Sequence, residues 1–469
     1  MSGTPHLQAR LSDFVGAFSG RRARGPAIAS MLVLELAGCA SYRARPLSSA
    51  ADVLAAPSAA ILSADAQAID RPFLTPQAID LARPLDPNAL AVIAVLENRD
   101  LRALRARLGV TEAQAFAARL LPDPSLSVSF DKLVTGPDAL NGVAGQLGFD
   151  LASLRRRRVA ARAAVAAREQ VRLDIAWAEW QTAGAARLQG VRVLALGRQA
   201  ELVRASFDSA SRLLDVVQRA AGRGDVAGGE VEARRLALLD ATDRLRVAER
   251  DFGVARAELV RLLGLPPATP IALTPAPAPP PAPAVDALVA RALVSRADLR
   301  ALRSGYDVAE ADVRRAILDQ FPNLSLTLAS ARDTAGNLTV GPQVGFTLPL
   351  WNRNRGGIAV AGATREQLRA EYEARVFQTR AEIAGAVGAL GAAARQRAGL
   401  APALPRMRAY AAATARAAAR GDIPRVTAEA AAQALRDRET ALAALDQQAA
   451  EAAVTLELFV GEPRSVWGL

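Results

Sequence analysis

The chain has 469 residues, a formal net charge of +11, one histidine, one cysteine and only 4% aromatic residues. So few large side chains cannot fill a thick globular core, which points to long helices that meet closely through alanine. A lone His6 and a lone Cys39 exclude histidine-based catalysis, cysteine-cluster metal sites and intramolecular disulfides, and arginines interleaved with Asp and Glu without a stacking platform argue against nucleic acid.

After a long pre-region, a basic stretch at Arg21, Arg22 and Arg24 precedes a short apolar run from Ala27 to Gly38 that ends Leu36-Ala37-Gly38-Cys39. A transmembrane helix needs about 20 apolar residues, so this reads as a cleaved secretory signal over residues 1–38. The last four residues resemble the bacterial lipobox, which implies lipidation of Cys39; the alternative is an ordinary buried thiol. Ala40 stands where an Asp would resemble an inner-membrane retention signal, which favours the outer membrane.

Residues 39–87 are rich in Pro, Ala and Ser and read as an extended arm with little helix. A first unit, 88–265, then predicts a helix, two alternating strands at 125–131 and 142–151, a long helix over 153–221 and another over 226–263. The stretch after Ser153 holds no proline until the helix-stopping Gly222-Arg223-Gly224-Asp225. A Pro/Ala-rich linker, 266–284, follows. The order then recurs in a second unit, 285–463, with strands at 323–330 and 338–350, a long helix over 356–420 and a last helix over 423–460, before a tail at 464–469.

The recurrence is literal in places. Asp100-Leu101-Arg102-Ala103-Leu104-Arg105 returns as Asp298-Leu299-Arg300-Ala301-Leu302-Arg303 at an offset of 198. Leu121-Pro122 returns as Phe321-Pro322, Gln146, Gly148 and Phe149 as Gln343, Gly345 and Phe346, and Arg223-Gly224-Asp225 as Arg420-Gly421-Asp422. A nearly constant offset in an unchanged element order indicates an internal duplication.

All four strands alternate. Leu126, Val128 and Phe130 lie between Ser125, Ser127 and Ser129, and Leu324, Leu326 and Leu328 between Asn323, Ser325 and Thr327. A water-soluble sheet with one wet face fits this pattern, but four strands leave two open edges and no apolar helix is at hand to cover them. Lipid on one side and water on the other is the transmembrane-barrel pattern, and four strands are too few to close around a lumen, so copies must share a barrel. Val231, Leu238, Leu245, Phe252 and Leu259 recur every seven residues, with alanines between them, which is coiled-coil packing.

Signal, lipobox, duplicated helix-strand-strand-helix-helix units and the helix-ending Leu262-Leu263-Gly264-Leu265-Pro266 together resemble the TolC-like outer-membrane factors. The run Leu348-Pro349-Leu350-Trp351-Asn352-Arg353-Asn354-Arg355-Gly356-Gly357 resembles most closely the branch serving cobalt-zinc-cadmium efflux, whereas the first repeat departs from it with Ser153-Leu154 and four arginines, Arg155 to Arg158. The resemblance implies a mainly helical homotrimer, with four strands per protomer in a shared 12-stranded outer-membrane barrel and the long helices forming a periplasmic tunnel. It implies a periplasmic adaptor and an inner-membrane pump, usually proton-driven, as partners. No cofactor, resident metal or enzymatic chemistry is expected.

On that reading Arg223, Gly224, Asp225, Arg420, Gly421 and Asp422 are the free tips of the helix pairs, where the family closes its tunnel and meets the adaptor. Arg223 and Arg420 would hold the tips closed between helices, and Asp225 and Asp422 would cap the following helices. Phe149, Arg155, Phe346, Pro349, Trp351, Asn352, Arg353, Asn354 and Arg355 mark the junction of barrel and tunnel. The arginines there would either meet anionic headgroups or form a solvated helix start. Trp177 and Trp180 read as packing residues. Two other functions stay open: the exit duct of a type I protein secretion system, and a lipid-anchored periplasmic coiled-coil scaffold without a pore.

Overall fold

The computed structural model describes residues 42–138, 140–275 and 278–467, so the leader, His6 and Cys39 lie outside the described residues. The backbone divides into two units, residues 1–55 and 56–469. In the first, helix α1 (Ala50–Leu54) is capped by Ser49, whose hydroxyl accepts from the Asp52 N–H.

The second unit corrects the expectation of an extended arm. Helix α2 (Ala59–Gln67) places Leu62 and Ala66 one turn apart, and both are buried. Ile69, Leu74, Ile79 and Leu85 follow them into a core built on α3 (Pro87–Glu97). Asp86 caps α3 by accepting from the Ala89 N–H, and Pro87 at its first position removes an N–H that would lack a partner. Leu90 to Val95 are buried on every side of α3, as expected of a helix apolar all round. The apolar residues set among the prolines near the end of the arm thus provide core, not spacer.

Helices α4 (Arg99–Ala117), α5 (Leu151–Ala221) and α6 (Gly228–Leu262) complete the first repeat around strands β1 (Ser125–Asp131) and β2 (Gly142–Asp150). The second repeat runs α7 (Val285–Ser295), α8 (Ala297–Leu318), β3 (Leu324–Arg332), β4 (Leu338–Phe346), α9 (Arg355–Leu400), α10 (Leu404–Arg420) and α11 (Arg425–Val460). The 71 residues of α5 extend about 105 Å, and this helix packs against α3, α4, α6, α8 and α11. Leu245, Ala248, Ala255 and Leu259 of the seven-residue seam are buried, as are Ala449, Ala452 and Leu456 in the second repeat.

The second long helix is not continuous. A 3-10 turn, Ala401–Ala403, separates α9 from α10 because Pro402 and Pro405 each lack a donor N–H there. β4 also stops at Phe346, four residues short of the expected end, and Pro349 lies in the loop beyond it. At the other junction α5 begins at Leu151, directly after Asp150, whose carboxylate accepts from the Ala152 and Ser153 N–H groups.

The four strands form one antiparallel sheet in the order β1-β2-β3-β4. Its registers repeat the duplication at atomic level. Ser125 faces Gly148 in the first hairpin, and Ser325 faces Gly345 in the second. A Cβ at either glycine would lie 2.7 Å from the hydroxyl of the serine opposite. The linker is more than a spacer: Leu273 forms a parallel bridge with Leu85, and Ile271 packs on the first core. At the C-terminus Trp467 is buried, and Arg291 donates to the carbonyls of Val466 and Trp467.

Candidate functional site

Three places carry the candidate residues: the sheet, the two strand-to-helix junctions and the two helix tips. The pairing of β1 to β4 puts Leu126, Val128, Phe130, Val143, Leu147 and Phe149 on one face with Leu324, Leu326, Leu328, Val340, Val344 and Phe346. Almost every one of these is exposed; Leu126 is 73% accessible and Val344 59%. The opposite face presents Ser125, Ser127, Ser129, Gln146, Ser325, Thr327, Thr339 and Gln343 among small residues, with Asp131 and Asp150 at strand ends. An apolar face this large, left open across four strands, requires an apolar partner. The outer edges, β1 and β4, have unpaired backbone groups on their far sides, and such edges in hydrocarbon must be closed by further strands.

The first junction is locked by arginines turned inward. Arg155 Nη2 donates to the Leu318 carbonyl at 3.0 Å, and its guanidinium stacks 5.8 Å from the Phe321 ring centroid. Arg156 forms an ion pair with Asp319 at 3.2 Å, and Arg157 donates to the Arg119 carbonyl at 3.0 Å. These cations stabilise the carbonyl ends of α4 and α8, where the helix dipoles favour positive charge. Neither expectation for Arg155, headgroup contact or simple solvation, describes it.

The second junction is built differently. Arg353 and Asn354 both adopt left-handed backbone, with φ of 47° and 52°, which costs about 1–2 kcal/mol per non-glycine residue. Asn354 compensates by donating from Nδ2 to the Ala316 carbonyl at 2.8 Å. The second glycine of the pair is needed for this bond, since a Cβ at Gly357 would lie 2.5 Å from Asn354 Oδ1. Trp351 in this loop is almost fully exposed, and Asn352, Arg353 and Arg355 are exposed beside it.

The tips correct the capping expectation. The residue before α6 is Ala227 and the one before α11 is Pro424, and neither Asp225 nor Asp422 caps a helix. Each aspartate instead accepts from the arginine two residues earlier, Arg223 Nε at 3.0 Å and Arg420 Nε at 2.8 Å. Gly224 and Gly421 supply the left-handed turns between them, with φ of 82° and 86°. Within one protomer each arginine thus pairs inside its own turn.

Sequence reasoning missed two buried charge clusters that hold the helices in register. Arg296, fully buried, pairs with Asp298 at 2.7 Å and Glu382 at 3.3 Å, donates to the Phe459 carbonyl and lies 4.8 Å from the Trp177 ring centroid. Arg375 reaches the same two carboxylates. Burial pushes the Asp298 carboxyl up, but hydrogen bonds and charge from Arg296 and Arg375 outweigh it and hold the group below the usual carboxylate range. Nearby Asp174 is raised, by burial and by the charge of Asp298. In the first repeat Glu179 accepts from Arg71 at 2.5 Å and Arg105 at 2.8 Å. Trp180 donates to the Leu458 carbonyl and meets Phe73 edge-on, so both tryptophans pack as expected. Asp298 and Arg105 were visible only as letters of the repeated Asp-Leu-Arg-Ala-Leu-Arg motif.

Among the described residues no cluster of His, Cys, Asp and Glu is arranged to hold a metal ion, and no helix is long and apolar enough to cross a membrane.

Residues 288–462, most of the second repeat, match the family model of the outer membrane efflux proteins. The outer-membrane channel OprN superposes with a TM-score of 0.65 over 90% of this chain and 99% of its own, at 19% identity. The chain shares the fold of that channel. The outer membrane protein VceC of Vibrio cholerae gives a TM-score of 0.65 at 18% identity, covering 80% of this chain and 96% of that one. CusC, described for its folding and transmembrane channel formation, gives 0.65 at 16% identity over 84% and 97%. No curated protein sequence matches the chain.

Proposed function

We propose that the chain is the outer-membrane exit duct of a tripartite efflux system, a passive channel that three copies close together. One observation carries this reading: a four-stranded sheet with an exposed face that is apolar except for Ser330 and Arg332 at one end, a polar opposite face and two open edges. Three copies supply twelve strands, enough for lipid outside and a passage inside lined by hydroxyls and amides, with the carboxylates of Asp131 and Asp150 at its ends. The long helices then project into the periplasm, and the tips at Arg223–Asp225 and Arg420–Asp422 meet a periplasmic adaptor, with an inner-membrane, proton-driven pump supplying energy and substrate choice. Lipidation of Cys39 would add a tether to the outer membrane. The run Leu348 to Gly357 favours the heavy-metal branch, with the metal as cargo.

The duplication specifies how copies meet. Phe149 pairs with Leu326 and Leu147 with Leu328 across the two repeats. Carried over by the repeat offsets, Phe346 and Val344 of one copy face Leu126 and Val128 of the next. Val128→Cys with Val344→Cys should therefore give an oxidised ladder that ends at a trimer, and neither single variant should. A double variant that stays monomeric under oxidation would sink the shared-barrel reading.

A further inference from the structure

The loop joining β4 to α9 has no use inside the protomer for its most conspicuous side chain. Trp351 is 90% exposed, and it follows Phe346, the last residue of the apolar face, by way of Leu348 and Leu350, at 61% and 60% exposure. Arg353 and Arg355 come next, both exposed and in no ion pair among the described residues. The matching place in the first repeat is occupied quite differently. There the chain passes straight from Asp150 into α5, and Arg155, Arg156 and Arg157 are spent on Leu318, Asp319 and Arg119.

The loop is tied down at its helix end and braced within itself. Asn354 ties it to the Ala316 carbonyl, the Arg355 N–H donates to the Asn352 carbonyl, and the Leu350 N–H donates to the Leu348 carbonyl at 2.8 Å. An apolar row, then an indole, then uncompensated cations is the order met on passing from hydrocarbon to a charged membrane surface. The apolar sheet face runs without interruption into the loop, which argues for a lipid rather than a protein occupant. The two cations select the sign of its headgroup.

Resting on the reading of the sheet as a membrane-spanning part, we propose that Leu348 to Arg355 is an anionic-phospholipid anchor, one per protomer. Trp351 enters the headgroup layer on the helix side of the barrel, and Arg353 and Arg355 bind negatively charged phosphodiester headgroups. The anchor belongs to the second repeat alone, so a trimer carries three rather than six.

The test uses the full chain in vesicles with equal mole fractions of brominated phosphatidylglycerol or brominated phosphatidylcholine. Trp351 emission is isolated as the difference between the wild type and Trp351→Phe. The proposal expects stronger quenching by the brominated phosphatidylglycerol, and loss of that preference in Arg353→Gln with Arg355→Gln, at about fivefold in lipid preference per arginine (~1 kcal/mol). Phe346→Trp in the Trp351→Phe background reports on the sheet itself. If the indole at position 346 is quenched and Trp351 is not, or if both lipids quench Trp351 equally, the anchor is overturned while the barrel reading stands. If neither position is quenched, the barrel reading falls and takes the anchor with it.

Discussion

Replacing Gly264 with alanine should destabilise the fold much more than the same change at Gly421, although both glycines have left-handed backbone, with φ of 67° and 86°. At Gly421 an added Cβ meets nothing within 4 Å, so the cost is the left-handed conformation alone, about 1–2 kcal/mol. At Gly264 the same atom would lie 2.4 Å from the Glu97 carbonyl oxygen and 2.8 Å from its carbon. Those are backbone atoms at the end of α3, held by the buried Leu90 to Val95, and they cannot swing aside. Overpacking adds about 1–3 kcal/mol, for a total of roughly 2–5 kcal/mol. Urea unfolding followed by helical circular dichroism, at one fixed protein concentration because assembly contributes to stability, gives the comparison. The Gly264→Ala midpoint should fall below that of Gly421→Ala; equal midpoints would refute the tight packing of the first repeat's helix end against α3.

The Asp298 carboxyl, held below the usual range, contributes stability that is present above about pH 4 and lost as pH falls through its depressed value. Asp298→Asn should therefore flatten the acid limb of a stability–pH profile, and an unchanged limb would show that the Arg296 cluster is not coupled to folding. Glu179→Gln leaves Arg71 and Arg105 without their carboxylate; because both arginines reach solvent, the loss should be about 2–3 kcal/mol, below that for a fully buried pair. Asn354→Ala removes both the bond to Ala316 and the residue type best suited to left-handed backbone, about 1–2 kcal/mol by urea midpoint, whereas Asn354→Gly should lose only the bond.

Strand alternation and the repeat offsets in the sequence were enough to locate the sheet, because period two and a constant spacing survive any tertiary rearrangement. The apolar row from Leu126 to Phe346 and the equivalence of the two hairpins were legible for the same reason. The packed arm was not, since Leu62, Ile69, Leu74 and Ile79 are spaced by the groove they fill and not by a regular period. The break at Ala401–Ala403 was legible in Pro402 and Pro405, but the alanine-rich run around them, helical throughout, masked it. The inward arginines were hidden by composition: among so many arginines, nothing local distinguishes Arg296, fully buried, from Arg353, fully in solvent's reach. The tip aspartates followed a good capping rule and departed from it because an arginine two residues earlier competes for the carboxylate.

The central claim is that three copies enclose a pore. Single-channel recording of the purified full chain in planar lipid bilayers tests it most directly. The account predicts discrete conductance steps from a fraction migrating as a trimer, retained when Val128→Cys and Val344→Cys lock the closing strands together. A trimer-free preparation, or one that binds bilayers without conducting, would contradict it.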